Sequence, residues 1–253
     1  MTDEPAATPG NAFEGPYRVR FDESTPGEVA RTSALLRYAQ DIAWAHSTSL
    51  GFDRAWYRER GLAWLVRAAE LEVLGAIPVG ATLDVSTAVI GHRRIWARRR
   101  GEFRLRGSLV AWVHTDWVLV DARGRITRVP DVFGTTFPAP EIAGPLTRVD
   151  LPPAPSAASR GSVRVRRHEL DPMDHVNNAV YLDWLEEAVA AAEPARPGSG
   201  SIVDAIPRRY LLEYAAAAAA EAELETETWP DEAGWAFRVR AGSTDLLRGR
   251  VRA

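Results

Sequence analysis

The 253-residue chain contains no cysteine. That excludes disulfides, thiolate metal sites and a cysteine nucleophile, and it suits a reducing compartment such as the cytoplasm. Lysine is missing too: all 31 positions counted as Lys or Arg are arginine. With the alanine-rich stretches, this points to a GC-rich bacterial coding sequence and says nothing about chemistry. No apolar run approaches the ~20 residues that a membrane span needs. The opening "MTDEPAATPGNAFEG" has neither a basic region nor an apolar core, so 1–14 reads as a disordered lead-in rather than an export signal. A net charge of −3 offers no general attraction to nucleic acid. There is no G-x-S-x-G elbow and no glycine loop for phosphate or dinucleotide. The five histidines are scattered without ligand spacing, so neither a metal nor a cofactor is expected.

What remains is an ordinary globular mix, 46% hydrophobic and 26% charged, enough for a sizeable core. Residues 139–160, with five prolines and little periodicity, read as a linker between a first unit over 15–138 and a second over 161–253. The two units are alike. A shift of 146 positions places Gly15, Arg18, Val19, Arg20, Glu23 and Pro26 on Gly161, Arg164, Val165, Arg166, Glu169 and Pro172, and then Tyr38 on Trp184. A shift of 141 places Glu72, Ala81, Leu83 and Thr87 on Glu213, Ala222, Leu224 and Thr228. Ordered matches at a near-constant offset predict two copies of one fold.

Each copy has one plan. Leu35, Leu36, Ala39, Ala43 and His46 recur at helical spacing, as do Val180, Tyr181, Trp184, Leu185, Ala188 and Val189, with Asp183, Glu186 and Glu187 opposite. "ATLDVSTAVIG", "IWARRRGEFRLRG" and "LVAWVHTDWVLVD" alternate as strands, and "EAELETETW", "GWAFRVRAG" and "TDLLRGRVRA" repeat the pattern in shorter form. The fold class is therefore α+β, an antiparallel sheet around one helix, twice. Composition favours a helix across "LLEYAAAAAAEAELE"; the repeat instead makes Leu211–Ala215 a strand and the alanine run a loose connection.

The copies disagree in one place. Asp171, His175, Asn177 and Asn178 answer Thr25, Val29, Arg31 and Thr32. Capping explains part of this, through Asn177 or Asn178 in one copy and Thr32 or Ser33 in the other. Capping does not require an acid and an imidazole four residues apart. That pair makes 171–178 the candidate site, one per chain.

The segment "DPMDHVNNAVYLDW" resembles the active-site segment of hotdog-fold thioesterases, where an acid precedes the central helix and D-x-x-x-H-V-N-N-x-x-Y recurs. "LLRYAQDIAWAHSTSLGFDRAWYRERGLAWLV" and "HTDWVLVDARGRITRVP" are similar to the N-terminal domain of acyl-acyl carrier protein thioesterases, which resemble two hotdog domains in tandem. The resemblance implies tandem hotdog domains and hydrolysis of a fatty acyl thioester on acyl carrier protein, with Asp171 as catalytic acid and His175 as active-site histidine. Two features depart from it: Met173 stands where the family often has Asn, and Ala217 and Ala218 stand where plant members carry an acid and a cysteine. Glu213 and Glu221 lie near that strand and receive no catalytic role.

In the mechanism so implied, Asp171 activates water or attacks directly, and backbone N–H groups around Asn178–Val180 polarise the carbonyl. His175 orients water or protonates the leaving thiolate, and Asn177 holds water or substrate. The acyl chain is expected in the first copy, with Trp44, Trp64 and Asn178 as binding residues. The acidic carrier is expected on "HRRIWARRR", at Arg93, Arg94, Arg98, Arg99 and Arg100. Alternatives are a thioesterase for acyl-CoA or polyketide-type carriers and a non-catalytic acyl-binding protein; a dehydratase fits less well. Two fused copies allow either a monomer or a homodimer.

Overall fold

The structure, a computed structural model, describes residues 12–142, 144–193, 201–232 and 234–253. Ten strands run in chain order: β1 (Ala12–Arg18), β2 (Leu62–Val73), β3 (Thr82–Arg93), β4 (Trp96–Leu105), β5 (Ser108–Asp121), β6 (Ser159–Arg164), β7 (Arg208–Tyr214), β8 (Glu223–Asp231), β9 (Gly234–Ala241) and β10 (Thr244–Arg252). Four α-helices accompany them among the described residues: α1 (Thr32–Ser49), α2 (Arg54–Glu59), α3 (Asp131–Thr136) and α4 (Asn178–Ala192). None is long and apolar enough to cross a membrane.

The strands form one sheet, ordered β1-β3-β4-β5-β2-β7-β10-β9-β8-β6, with every named pairing antiparallel. The second half of that order is the first half reversed under the internal repeat. At the seam, β2 pairs with β7 so that Glu70 faces Leu211. These two are equivalent under the shift of 141, so the seam is centred on a pseudo-two-fold axis. Helix α1 packs against α4, and the core gathers both helices onto the sheet through Leu35, Ile42, Phe103, Leu182, Leu185 and Phe237, all nearly inaccessible. Each half is a hotdog unit, a sheet wrapped around one helix, and the chain holds two in tandem.

The repeat extends to individual hydrogen bonds. The Thr25 amide donates to the Val29 carbonyl at 2.8 Å, and the Asp171 amide donates to the His175 carbonyl at 2.8 Å. Arg31 donates to the Glu23 carbonyl and Asn177 to that of Glu169, at 2.8 and 2.9 Å. Glu28 and Asp174 hold the same left-handed turn, at φ 59° and 61°. The loop carrying the candidate acid is thus scaffold common to both copies, and only its side chains differ.

Four expectations need adjustment. Strand β1 begins at Ala12, inside the expected lead-in, because Ala12–Arg18 pairs residue by residue with Ala88–Thr82. Among its described residues the stretch between α3 and β6 contains no helix or strand, yet it packs closely: Val149 and Ala158 are buried, and Thr147 donates its amide to Asp116. Neither Thr32 nor Ser33 caps α1; the N-cap is Arg31, without a side-chain bond. The Thr32 hydroxyl instead accepts from Arg208 at 2.9 Å, and that of Ser33 from Arg37 at 2.8 Å. Glu186 is not on a solvated helix face, since it takes the Tyr210 hydroxyl at 2.5 Å and burial raises its pKa. The alanine run behaves as read from the repeat: β7 ends at Tyr214 and a loose connection follows.

Candidate active site

A two-residue bridge, Leu170 with Val176, closes the loop ahead of α4. Within it, Oδ1 of Asp171 accepts from the Met173 amide at 2.8 Å and the His175 amide at 3.4 Å. Among the described residues nothing donates to Oδ2, so one carboxylate oxygen is anchored and the other is available to a ligand. Asn177 is the N-cap of α4, its Oδ1 accepting from the Ala179 amide at 2.9 Å. That bond fixes which way the carboxamide faces. Its Nδ2 must then donate to Oε1 of Gln40 on α1, at 3.2 Å. Gln40 in turn directs its own amide group elsewhere. Replacing Asn177 with Ala removes the cap and costs about 1 kcal/mol; a calorimetric Tm lower by roughly 2–4 °C is the expected result.

Asp171, Asn177 and Gln40 share the wall of a cavity of about 610 Å³. Pro172 and Met173 join them from the second half, and the rest of the wall belongs to the first half. Ala43, Trp44 and Ser47 of α1 form one side, with Trp64 of β2 and Ala97 of β4 among the sheet residues. Phe133 of α3 stacks on Phe52 with centroids 4.5 Å apart and meets Trp64 edge-on at 5.7 Å, so an aromatic cluster closes one flank. Trp44 and Trp64 therefore both stand in the wall, although Trp44 keeps 42% of its surface exposed. An apolar hollow with a few convergent polar groups at one place is the form expected of a small-molecule site.

Other expected residues lie elsewhere. Neither His175 nor Asn178 lines the cavity. His175 enters the loop through its backbone, donating its amide to Oδ1 of Asp171 and accepting the Asp171 N–H at its carbonyl. The Asn178 carbonyl accepts from the Tyr214 hydroxyl at 3.1 Å. The expected backbone oxyanion donors are also largely committed, since the Ala179 amide serves the Asn177 side chain and the Val180 amide the Asn177 carbonyl. The five arginines of 92–100 do not share a surface. Arg93 and Arg94 are exposed at the end of β3 and the turn that follows. Arg98 forms a two-pronged pair with Asp116, Arg100 bonds Glu102, and Arg99 faces inward onto the cavity. Strand alternation explains this, as 98 and 100 share one face and 99 takes the other.

His46, on the buried side of α1, accepts from Arg99 through Nδ1 at 3.1 Å and lies against Phe13 and Phe137. Burial, and then the Arg99 charge, lowers its pKa from 6.5 to about 4, so the ring is neutral near pH 7. Below pH 6.5 the unfolded chain gains a proton that the folded chain refuses until about pH 4. Stability should therefore fall across that window. In His46→Gln, which cannot titrate there, the decline in Tm should be shallower.

Residues 10–136 match the model of the acyl-ACP thioesterase N-terminal domain, and 154–229 that of the C-terminal domain. Oleoyl-acyl carrier protein thioesterase 2, chloroplastic, of Arabidopsis thaliana is 23% identical over 201 residues, 71% of this chain and 54% of that protein. Palmitoyl-acyl carrier protein thioesterase, chloroplastic, of Cuphea hookeriana is 24% identical, over 71% of this chain and 47% of that protein. The chain thus spans about half the length of the curated relatives it matches. Among solved structures, the 12:0-ACP thioesterase from Umbellularia californica superposes with a TM-score of 0.77 at 23% identity, covering 98% of each chain. An acyl-ACP thioesterase from Bacteroides thetaiotaomicron gives 0.79 at 14% identity, covering 96% of this chain and 97% of that one. With both domain models matched in order along the two halves, the chain belongs to the acyl-ACP thioesterase family.

Proposed function

We propose that this chain hydrolyses a fatty acyl thioester of acyl carrier protein, releasing the free acid and the carrier thiol. The observation that carries this reading is the joining of Asp171 and Asn177, from the second half, to an apolar cavity built mainly by the first. The relatives' names supply the carrier.

Asp171 is the general base. Its Oδ1 is held by two backbone amides, so Oδ2 can take a proton from water as the water oxygen bonds to the thioester carbon. The C–S bond then breaks, the proton passes to the departing sulfur, and Asp171 is restored. Donors for the carbonyl oxygen come from the carboxamides: the second Nδ2 hydrogen of Asn177 and the Nε2 group of Gln40, which the cap on α4 orients. His175 contributes its amide to the Asp171 carboxylate, while its ring lies outside the cavity wall. An acidic carrier is steered toward the exposed Arg93 and Arg94, which follow His92 of the cavity wall. The fused halves already pair through β2 and β7, so a monomer contains the whole site, and we place the protein in the cytoplasm.

Thiol release from matched acyl-carrier and acyl-CoA thioesters tests the reading. Faster turnover of the carrier form supports it. Turnover of CoA esters alone reassigns the substrate, and acyl binding with no thiol released removes the enzymatic reading.

A further inference from the structure

Arg99 is a cation in the wall of a mainly apolar hollow. It occupies an inward position of β4 between Ala97, which also lines the cavity, and the buried Gly101. Of the five N–H groups of a guanidinium, one on Nη1 is given to Nδ1 of His46 at 3.1 Å, and the Arg99 Cζ lies 5.4 Å from the ring centre of Phe137. His46 is neutral, and among the described residues no carboxylate pairs with Arg99. Close by, the Ser47 and Tyr57 hydroxyls are 3.1 Å apart, and both residues face the same cavity. The hollow therefore has two polar places. One is the Asp171–Asn177–Gln40 group. The other is Arg99 with Ser47 and Tyr57. They are separated along α1 by the six helical steps from Gln40 to His46, roughly 9 Å of helix rise.

A plain hydrocarbon terminus at the second place would strip water from an unpaired guanidinium and return no hydrogen bond, an unfavourable exchange. A carboxylate there would accept two parallel N–H bonds and balance the charge. The other charged side chains of the wall do not compete for that role. Arg37 is paired with Asp183, Asp41 accepts from Tyr17, and Arg54 and Arg58 are exposed on α2. We propose that the acyl group taken by this cavity ends in a carboxylate bound by Arg99, so that the preferred substrate is the monothioester of a dicarboxylic acid. The inference rests on the thioesterase reading above and names the substrate class of the same site.

The test compares ω-carboxyacyl and unsubstituted acyl thioesters of matched lengths on one carrier, in wild type and Arg99→Met. Wild type should favour the carboxylated series in kcat/KM by about ten-fold or more, the scale of a desolvated charge-assisted pair. Arg99→Met should abolish or invert that ratio. A wild-type ratio at or below one overturns the inference while leaving the hydrolase reading intact. Titration calorimetry of the wild-type protein with free dicarboxylates and with matched monocarboxylates gives a second reading that needs neither turnover nor a folded variant. If neither series is hydrolysed, the hydrolase reading fails, and this comparison alone decides. Tighter binding of dicarboxylates upholds the Arg99 subsite, and tighter binding of monocarboxylates removes it.

Discussion

Asp171→Asn should lower thiol release from an acyl thioester by roughly 10²–10⁴-fold, the range of a lost general base. Its Tm should stay close to that of the wild type. The two expectations separate because Asp171 has two jobs on different oxygens. Oδ1 closes the loop by accepting from Met173 and His175, and an asparagine Oδ1 accepts in the same way. Oδ2, without a donor among the described residues, is where a water can be deprotonated, and an amide nitrogen cannot do that. The first copy supplies a built-in control: the loop forms there with the same backbone bonds around Thr25, so no acid is needed for folding. A large fall in Tm in Asp171→Asn would mean that the carboxylate is structural. Full activity with an intact fold would place the chemistry elsewhere.

Asp116→Ala should be the most destabilising single change outside the hydrophobic core, by about 3–5 kcal/mol. Asp116 is 2% exposed and takes Arg98 through two bonds, Nε to Oδ1 at 2.6 Å and Nη2 to Oδ2 at 2.8 Å. It also accepts the Thr147 amide at 2.9 Å, which fastens the segment between the halves to β5. Truncation removes both Asp116 bonds from Arg98, whose side chain is only 20% exposed. The expected fall in Tm is roughly 6–20 °C for a chain of this size. Joint replacement, Asp116→Leu with Arg98→Met, should recover most of the loss, because a buried pair contributes little beyond an apolar isostere. Equal losses in the single and double variants would place the cost in the Thr147 bond instead of the charge.

Much of this molecule was legible in its sequence because the chain says the same thing twice. The shifts of 146 and 141 located equivalent strands and overruled the helix propensity of the alanine run, which ends β7 as a loop. The departure of Asp171 and Asn177 from their counterparts Thr25 and Arg31 singled out two side chains that the structure sets in one cavity wall. Gln40 was missed because its contact with Asn177 spans 137 positions. The signal was present nonetheless: a two-fold arrangement sets α1 beside α4, and Gln40 is the counterpart of Glu186. The arginine run misled for a different reason. In "RRR" every position is charged, so no period shows which residue faces inward, and only the strand register sends Arg99 into the cavity. Phe133 and the short α3 gave no pattern at all, since six residues are too few for a helical period to emerge.

The central claim is that the second half supplies the reacting acid while the first half holds the acyl chain. The most direct measurement is photo-crosslinking with a carrier-bound acyl thioester whose chain carries a diazirine, followed by peptide mass spectrometry. Labels should fall on α1, α2 and the segment around Phe133, and an added tight-binding acyl ligand should suppress them. Labels concentrated on α4, β8 or β9 would contradict the account, because the chain would then lie in the half that carries Asp171.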